Sequence, residues 1–203
     1  MRAYDFTMVM DNFTPIFPGD KKQEIVQEST IAKDGWNDKR LSFNSHFSTH
    51  IDAPIHMVEG AKSLTDFPIE RFMGEAIIID VRGQSEINTA DLSTVKAGDI
   101  VFFFTGQTDK AGSEDFFKNN PVITEAMAKK LIKKKVRIVG LDSYTPDNAP
   151  FTVHKMLFRK DIMIVENLVG LKQLSGKRFM CYIMPLKIRD ADGAPCRVVG
   201  ITD

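Results

Sequence analysis

Three histidines and an aspartate fall within eleven residues, in the order His46-Phe-Ser-Thr-His50-Ile-Asp52-Ala-Pro54-Ile-His56. The chain contains four histidines in all, and the last, His154, lies twelve residues before Glu166. Imidazoles used as general surface groups would scatter, and here none stands elsewhere. Neutral imidazoles and carboxylates are the usual ligands of zinc, manganese and iron in open catalytic sites. The chemistry to expect is metal-assisted hydrolysis.

Geometry limits how these residues meet. Ligand bonds of about 2.0–2.2 Å put two ligands of one ion about 3–4 Å apart. On an extended strand His46 and His50 would be roughly 13 Å apart, at about 3.3 Å per residue. The segment must therefore bend, or make one helix-like turn that stacks positions four apart. Ser48 and Thr49 suit such a turn, because their hydroxyls can bond to backbone. His50 and Asp52 are two apart and face the same way if extended, and Pro54 then stiffens the chain. His56 is either a fourth ligand or a proton carrier beside the metal. His154 and Glu166 form a looser pair: a helix-surface histidine and a capping glutamate, or the ligands of a second ion. Glu166 ends the apolar run Asp161–Val165, and strand ends are a common place for site residues.

The elements that position these residues are mostly short apolar runs bounded by turn residues, the pattern of buried strands. Strands are expected at Ala76–Val81, Ile100–Phe104, Val136–Leu141, Ile162–Val165, Phe179–Met184 and Cys196–Ile201, with weaker ones at Tyr4–Met10 and Glu24–Ile31. A helix is expected with Asn120 as N-cap and Pro121 first, its apolar face formed by Val122, Ile123, Ala126, Met127, Leu131 and Ile132. Asp91–Ala97 reads as a second, short helix, and Pro15–Gly35 as a surface hairpin or arm. Strands that outnumber helices without regular alternation predict an α+β fold with a mixed sheet or barrel-like core.

With 203 residues the chain is read as one domain, 1–203. Lys+Arg and Asp+Glu are 27 each, so charge points to neither nucleic acid nor membrane, and the partner expected is a small-molecule substrate. Lys133-Lys134-Lys135 reads as a solvated helix end. The two cysteines, Cys181 and Cys196, lack metal-ligand spacing, and Cys181 reads as a buried thiol. Few cysteines, no signal-like N-terminus and no apolar run near the ~20 residues that span a bilayer suggest a soluble cytoplasmic protein. No phosphate-binding glycine loop or GxSxG elbow is present, which removes nucleotide transfer and serine hydrolysis.

The segment His46–His56 resembles the HxGTHxDxPxH signature of the cyclase-type metal-dependent hydrolases, a family that includes bacterial kynurenine formamidase (arylformamidase), isatin hydrolase and a dienelactone hydrolase. Further segments follow in order over nearly the whole chain. Phe13–Asp20 is similar to a Pro-x-x-Pro-Gly-Asp opening and Gly140–Asp147 to Gly-x-Asp-x-x-Ser-x-Asp. His154-Lys-Met-Leu-Phe with Ile162–Leu168 matches a histidine and Glu-Asn-Leu pair, and Pro185–Arg197 resembles the Pro-Leu…Gly-x-Pro-x-Arg tail.

The resemblance implies a swivelling β/β/α fold, usually a homodimer. It implies that His46, His50 and Asp52 bind a first metal, that Asp52, His154 and Glu166 bind a second with Asp52 bridging, and that His56 is the catalytic acid/base. The cofactor is then one or two divalent ions, zinc or manganese, and the reaction is cleavage of an amide such as an N-formyl aromatic amine. Ring opening of a lactone, cyclic imide or isatin on the same site is the alternative reaction, and a non-catalytic metal-binding protein the other reading. Ser48 stands where the family commonly has glycine, and Thr145 where it has serine. Gln107 replaces a frequent aromatic and Phe104 a frequent basic residue, two departures expected to touch substrate selection. Phe17, Trp36 and Phe47 are candidates for the wall of an aromatic pocket, for core, or for a dimer contact.

Overall fold

The computed structural model describes residues 1–203. The strands are β1 (Arg2–Asp5), β2 (Glu24–Ser29), β3 (Asp38–Ser42), β4 (His50–Asp52), β5 (Met73–Asp80) and β6 (Glu86–Ile87), then β7 (Ile100–Phe104), β8 (Val122–Ile123), β9 (Ile138–Leu141), β10 (Met163–Glu166), β11 (Arg178–Pro185) and β12 (Gly193–Thr202). Three α-helices join them: α1 (Ile31–Asp34), α2 (Glu125–Lys134) and α3 (Thr152–Phe158). The main sheet runs β1-β12-β11-β5-β7-β9-β10-β4, and a further pairing of β4 with β12 closes seven of its strands into a barrel. The pairs β5–β7, β7–β9 and β9–β10 are parallel and the rest antiparallel, so the sheet is mixed, and the expected α+β, barrel-like class is the one observed.

Alternation along the strands divides the core in two. Ile51, Ile78, Phe102, Ile138, Val165, Cys181 and Val198 fill the barrel. Ile77, Val101, Phe103, Val139 and Ile164 face outward and pack with Met127, Leu131 and Leu157 of α2 and α3. Because β7 is buried on both faces, its sequence is apolar at every position (Ile-Val-Phe-Phe-Phe), the expected signature of a central parallel strand. The main strand expectations hold to within a few residues.

Two helix expectations are corrected. Helix α2 begins at Glu125, with Thr124 as N-cap accepting from the Met127 amide at 3.2 Å. Asn120 and Pro121 lie outside it. Val122 and Ile123 instead form β8 beside β6, and the Ile123 amide donates to the Pro146 carbonyl at 2.7 Å. Proline's φ suits extended chain as well as a first helical turn, and tertiary pairing decides between them. Asp91–Ala97 forms successive turns, because the Asp91 carboxylate takes the Ser93 amide (2.8 Å) and diverts the backbone from helix. Pro15–Gly35 is part of a longer arm in which β2 and β3 form a hairpin through α1. Both cysteines are free and buried. No helix is long and apolar enough to cross a membrane.

Candidate active site

The site is built where β4 lies between β10 and β12. Register pairs Glu166 with His50 and Ile164 with Asp52 across β10–β4. Ile51 and Val165 point into the barrel, so His50, Asp52 and Glu166 share the opposite face. On the other side Gly193 is paired with Asp52. A Cβ on Gly193 would lie 2.6 Å from His46 Cε1, so the imidazole occupies the space that any side chain there would fill. The bend required between His46 and His50 is made at Ser48, which holds φ of 60°. That is the left-handed region glycine adopts freely, and the Ser48 hydroxyl offsets it by donating to the Met8 carbonyl. Thr49 donates to the Asn167 carbonyl at 2.6 Å and accepts the Met8 amide, pinning the turn to β10's end and to the N-terminus.

All six of the residues expected at the site come together. His50 Nε2 lies 3.3 Å from Asp52 Oδ1 and 3.3 Å from Glu166 Oε2. His154, on the buried face of α3, places Nε2 3.4 Å from Glu166 Oε1 and 3.9 Å from Asp52 Oδ2. His46 Nδ1 is 2.7 Å from Asp52 Oδ1. Two groups have ligand atoms close enough for one ion: His50, Asp52 and Glu166, and His46, Asp52 and His56. Asp52 belongs to both.

Outer partners orient the rings. His50 Nδ1 donates to the Ser48 carbonyl at 2.9 Å, which leaves Nε2 facing the site. His154 Nδ1 is hydrogen-bonded to Asp147, which also accepts the Val153 amide at 2.6 Å. His46 Nε2 donates to Asp192 at 3.0 Å, and Asp192 stands 3.6 Å from His56 Nδ1. A carboxylate or carbonyl on the far nitrogen is the arrangement that fixes an imidazole as a metal ligand. His50 Nε2 and Asp52 Oδ2 are buried without any hydrogen-bond partner. Buried polar atoms are rarely left so, and these two face each other's carboxylate and imidazole neighbours, where a cation fits.

The electrostatics agree with a cation site. Burial opposes charge on His46, but Asp52 and Asp192 outweigh it and lift the imidazole to about 9. Burial likewise opposes charge on His154, and Asp147 and Glu166 lift it to about 9. His50 is driven well above its ordinary value by Asp52 and Glu166 against a burial effect of opposite sign. Asp52 is held well below the carboxylate range by His46 and His50, again against burial. His56 differs. Burial lowers its pKa, and the repulsion of His46 and His154 adds to this against the pull of Asp52 and Glu166.

The site opens into a cavity of about 430 Å³ whose upper wall includes Phe17, Phe116, Phe117 and Tyr144. Of the expected aromatic wall, only Phe17 lines it. Phe47 is buried, stacked on Phe43 with centroids 5.1 Å apart, and Trp36 is exposed on the hairpin turn. Gln107 and Phe104 are buried beneath the surface and absent from the lining. Asp147, Asp192 and Asn167 were not singled out from sequence. Each lies inside a segment that resembles a family motif, but aspartate and asparagine are common in loops, and only the partner imidazole or carbonyl across the fold marks them.

The family model described as "Putative cyclase" matches residues 4–148. A kynurenine formamidase of Erythrobacter litoralis is 29% identical over 205 residues, covering 98% of this chain and 93% of that one. An uncharacterized protein of Methanocaldococcus jannaschii is 31% identical over 202 residues, covering 99% of this chain and all (100%) of the other. A solved structure described as a potential metal-dependent hydrolase with cyclase activity superposes with a TM-score of 0.83 at 28% identity, covering 98% of this chain and 96% of its own.

Proposed function

The chain belongs to the cyclase family of metal-dependent hydrolases, and from that premise we propose that it hydrolyses the amide of an N-formyl aromatic amine. The observation that carries this is a buried imidazole–carboxylate cluster with orphaned ligand atoms, opening beneath an aromatic wall. The kynurenine formamidase of Erythrobacter litoralis supports the amide class.

In this reading His46, His50 and Asp52 hold one divalent ion, zinc or manganese, and Asp52, His154 and Glu166 a second. When bound, such an ion lowers the pKa of water from 15.7 toward about 7 and polarises a carbonyl oxygen. His56 lines the cavity with its side chain 25% exposed, and its lowered pKa keeps the imidazole neutral at pH 7. It takes a proton from the attacking water and returns it to the departing amine nitrogen as the C–N bond breaks. Asp192 reaches both His46 and His56 and holds their rings in relative position. The aromatic wall receives the flat ring of the substrate and shields the carbonyl from bulk solvent.

The test is metal analysis of protein purified without chelator, followed by hydrolysis of N-formyl aromatic amines, lactones, cyclic imides and isatin. Formanilide cleaved faster than the ring substrates is expected. Faster ring opening would transfer the site to the lactone and isatin class, and a metal-loaded protein inert to all of them would end the hydrolase reading.

We further propose that residues 1–203 act as one domain within a homodimer in the cytoplasm. The hairpin carries exposed Val26, Ile31, Trp36 and Leu41, apolar surface that a second copy would cover. The two free thiols suit a reducing compartment. A monomer in sedimentation at micromolar concentration would overturn the dimer.

A further inference from the structure

Gln107 is among the least exposed polar residues of the chain, at 1%, yet it neither ligates nor lines the cavity. Its Nε2 donates to the Phe116 carbonyl at 2.6 Å and more weakly to the Lys118 carbonyl at 3.3 Å. Lys110 Nζ donates to its Oε1 at 3.0 Å, which identifies the amide end facing the two carbonyls as the nitrogen. The backbone around Gln107 is held as firmly. Its own amide donates to Thr105 Oγ1, and the Asp142 carboxylate takes the Thr105 amide, the Thr105 hydroxyl and the Gly106 amide at 2.6–2.8 Å. Asp142 follows β9 directly, so the end of one core strand is tied to the turn leaving its neighbour β7.

What Gln107 holds is the turn Glu114–Phe117. Phe117 lies 5.0 Å from Tyr144 between ring centroids, Phe116 lies 5.7 Å from it, and Tyr144 Oη donates to the Phe117 carbonyl. Phe17 reaches the same tyrosine from the N-terminal arm at 6.0 Å. These four rings wall the cavity. The turn makes no ladder hydrogen bonds with the sheet, and besides the Tyr144 hydroxyl bond and the ring contacts it is held by the two hydrogen bonds from Gln107.

We propose that Gln107 is a positioning residue for substrate specificity: it clamps the Glu114–Lys118 turn so that Phe116 and Phe117 stay packed on Tyr144, which fixes where this aromatic wall stands over the imidazoles and carboxylates and favours flat aromatic amides over bulky ones. The inference rests on the amide-hydrolase reading for its substrate but not for its geometry. Loss of the clamp leaves the cluster of imidazoles and carboxylates in place, so it acts on binding and leaves the chemical step alone.

The test uses zinc-loaded full-length protein carrying Gln107→Leu, which removes both donors, or Gln107→Glu, which turns a carboxylate toward two carbonyl oxygens. KM for formanilide should rise about tenfold, the size of one lost hydrogen bond in an apparent affinity. The turnover number should stay within about threefold, KM for ringless formamide should not move, and metal content should be retained. Hydrogen exchange at the Phe116 and Lys118 amides should accelerate while that of β4 stays slow. Lys110→Met, at an exposed residue and safe for folding, should shift KM the same way by about two- to threefold. An unchanged formanilide KM in all three variants overturns the proposal, as does a fall in turnover with KM constant. If the wild type cleaves none of the amides, the hydrolase reading fails by itself, and calorimetric binding of formanilide decides the clamp: Kd weakened about tenfold by Gln107→Leu supports it, and equal Kd values sink it.

Discussion

The floor and the rim of the cavity are built by opposite means. On the floor, His50, Asp52 and Glu166 sit on strands whose register is set by backbone ladders on both sides of β4. Every imidazole there except His56 has an outer hydrogen-bond partner within 3.0 Å. The rim is made from an N-terminal arm, a short turn and the loop after β9, joined by ring contacts of 5–6 Å and a few side-chain bonds. Reaction geometry tolerates displacements of only about an ångström, and strands can meet that demand. A binding surface needs shape more than exact placement, and loops supply it with freedom to vary. Changes on the floor should therefore abolish metal binding or turnover, and changes on the rim should move affinity.

The largest effect is expected from Asp52→Ala, which removes the carboxylate shared by both candidate ligand groups. Metal content and activity should disappear together, whereas His154→Ala should cost about half the metal of a two-ion site. Full metal content by elemental analysis in Asp52→Ala would defeat the floor as described.

His56→Ala separates the proton carrier from the ligands. Metal should remain while the turnover number falls by roughly 10²–10⁴-fold, as for a lost general acid/base. Because His46, Asp52 and His56 also offer atoms close enough for one ion, metal loss matching that of His50→Ala would make His56 a ligand.

Phe117→Ala tests the rim directly. KM for formanilide should rise about 3- to 10-fold, the range of a lost aromatic contact, with turnover little changed. A fall in turnover comparable to that of His56→Ala would mean that the rim positions the reacting group, and the division between floor and rim would be lost.

The smallest effect concerns pH and the metal-free protein. His46 and His154 are raised from 6.5 to about 9, so the folded state holds their protons more tightly than the unfolded chain. The stability this contributes is complete below pH 6.5 and is lost as pH rises through 9. His56, lowered by burial, acts in the opposite sense and only below its ordinary value. The Tm of chelator-treated protein should fall as pH rises from 6.5 to 9. Zinc should reverse the trend, because metal and proton compete for the same nitrogens. A chelated Tm that rises over this window would contradict the charge balance of the floor.

Much of the molecule follows from local pattern. His46, His50 and His56 stand out because histidine is rare in the chain and their spacing around Asp52 is tight, and the need for a bend between His46 and His50 follows from ligand distances. The barrel strands were legible because apolar runs of five or six residues have few other uses. Tertiary structure decided the rest. Whether Pro121–Ile123 began a helix depended on β6 and the Pro146 carbonyl, neither visible in the local sequence. His154 and Glu166 gain meaning only when α3 and β10 bring them to Asp52. Asp147 and Asp192 do so only beside the imidazoles they orient, and Gln107 only through a turn it holds from beneath. Composition and periodicity determine which residues are buried and which could bind a metal, because those depend on each residue and its near neighbours. Which distant acceptor meets which donor depends on the closure of the barrel through β4 and β12, a contact between segments about 140 residues apart that no local interaction encodes.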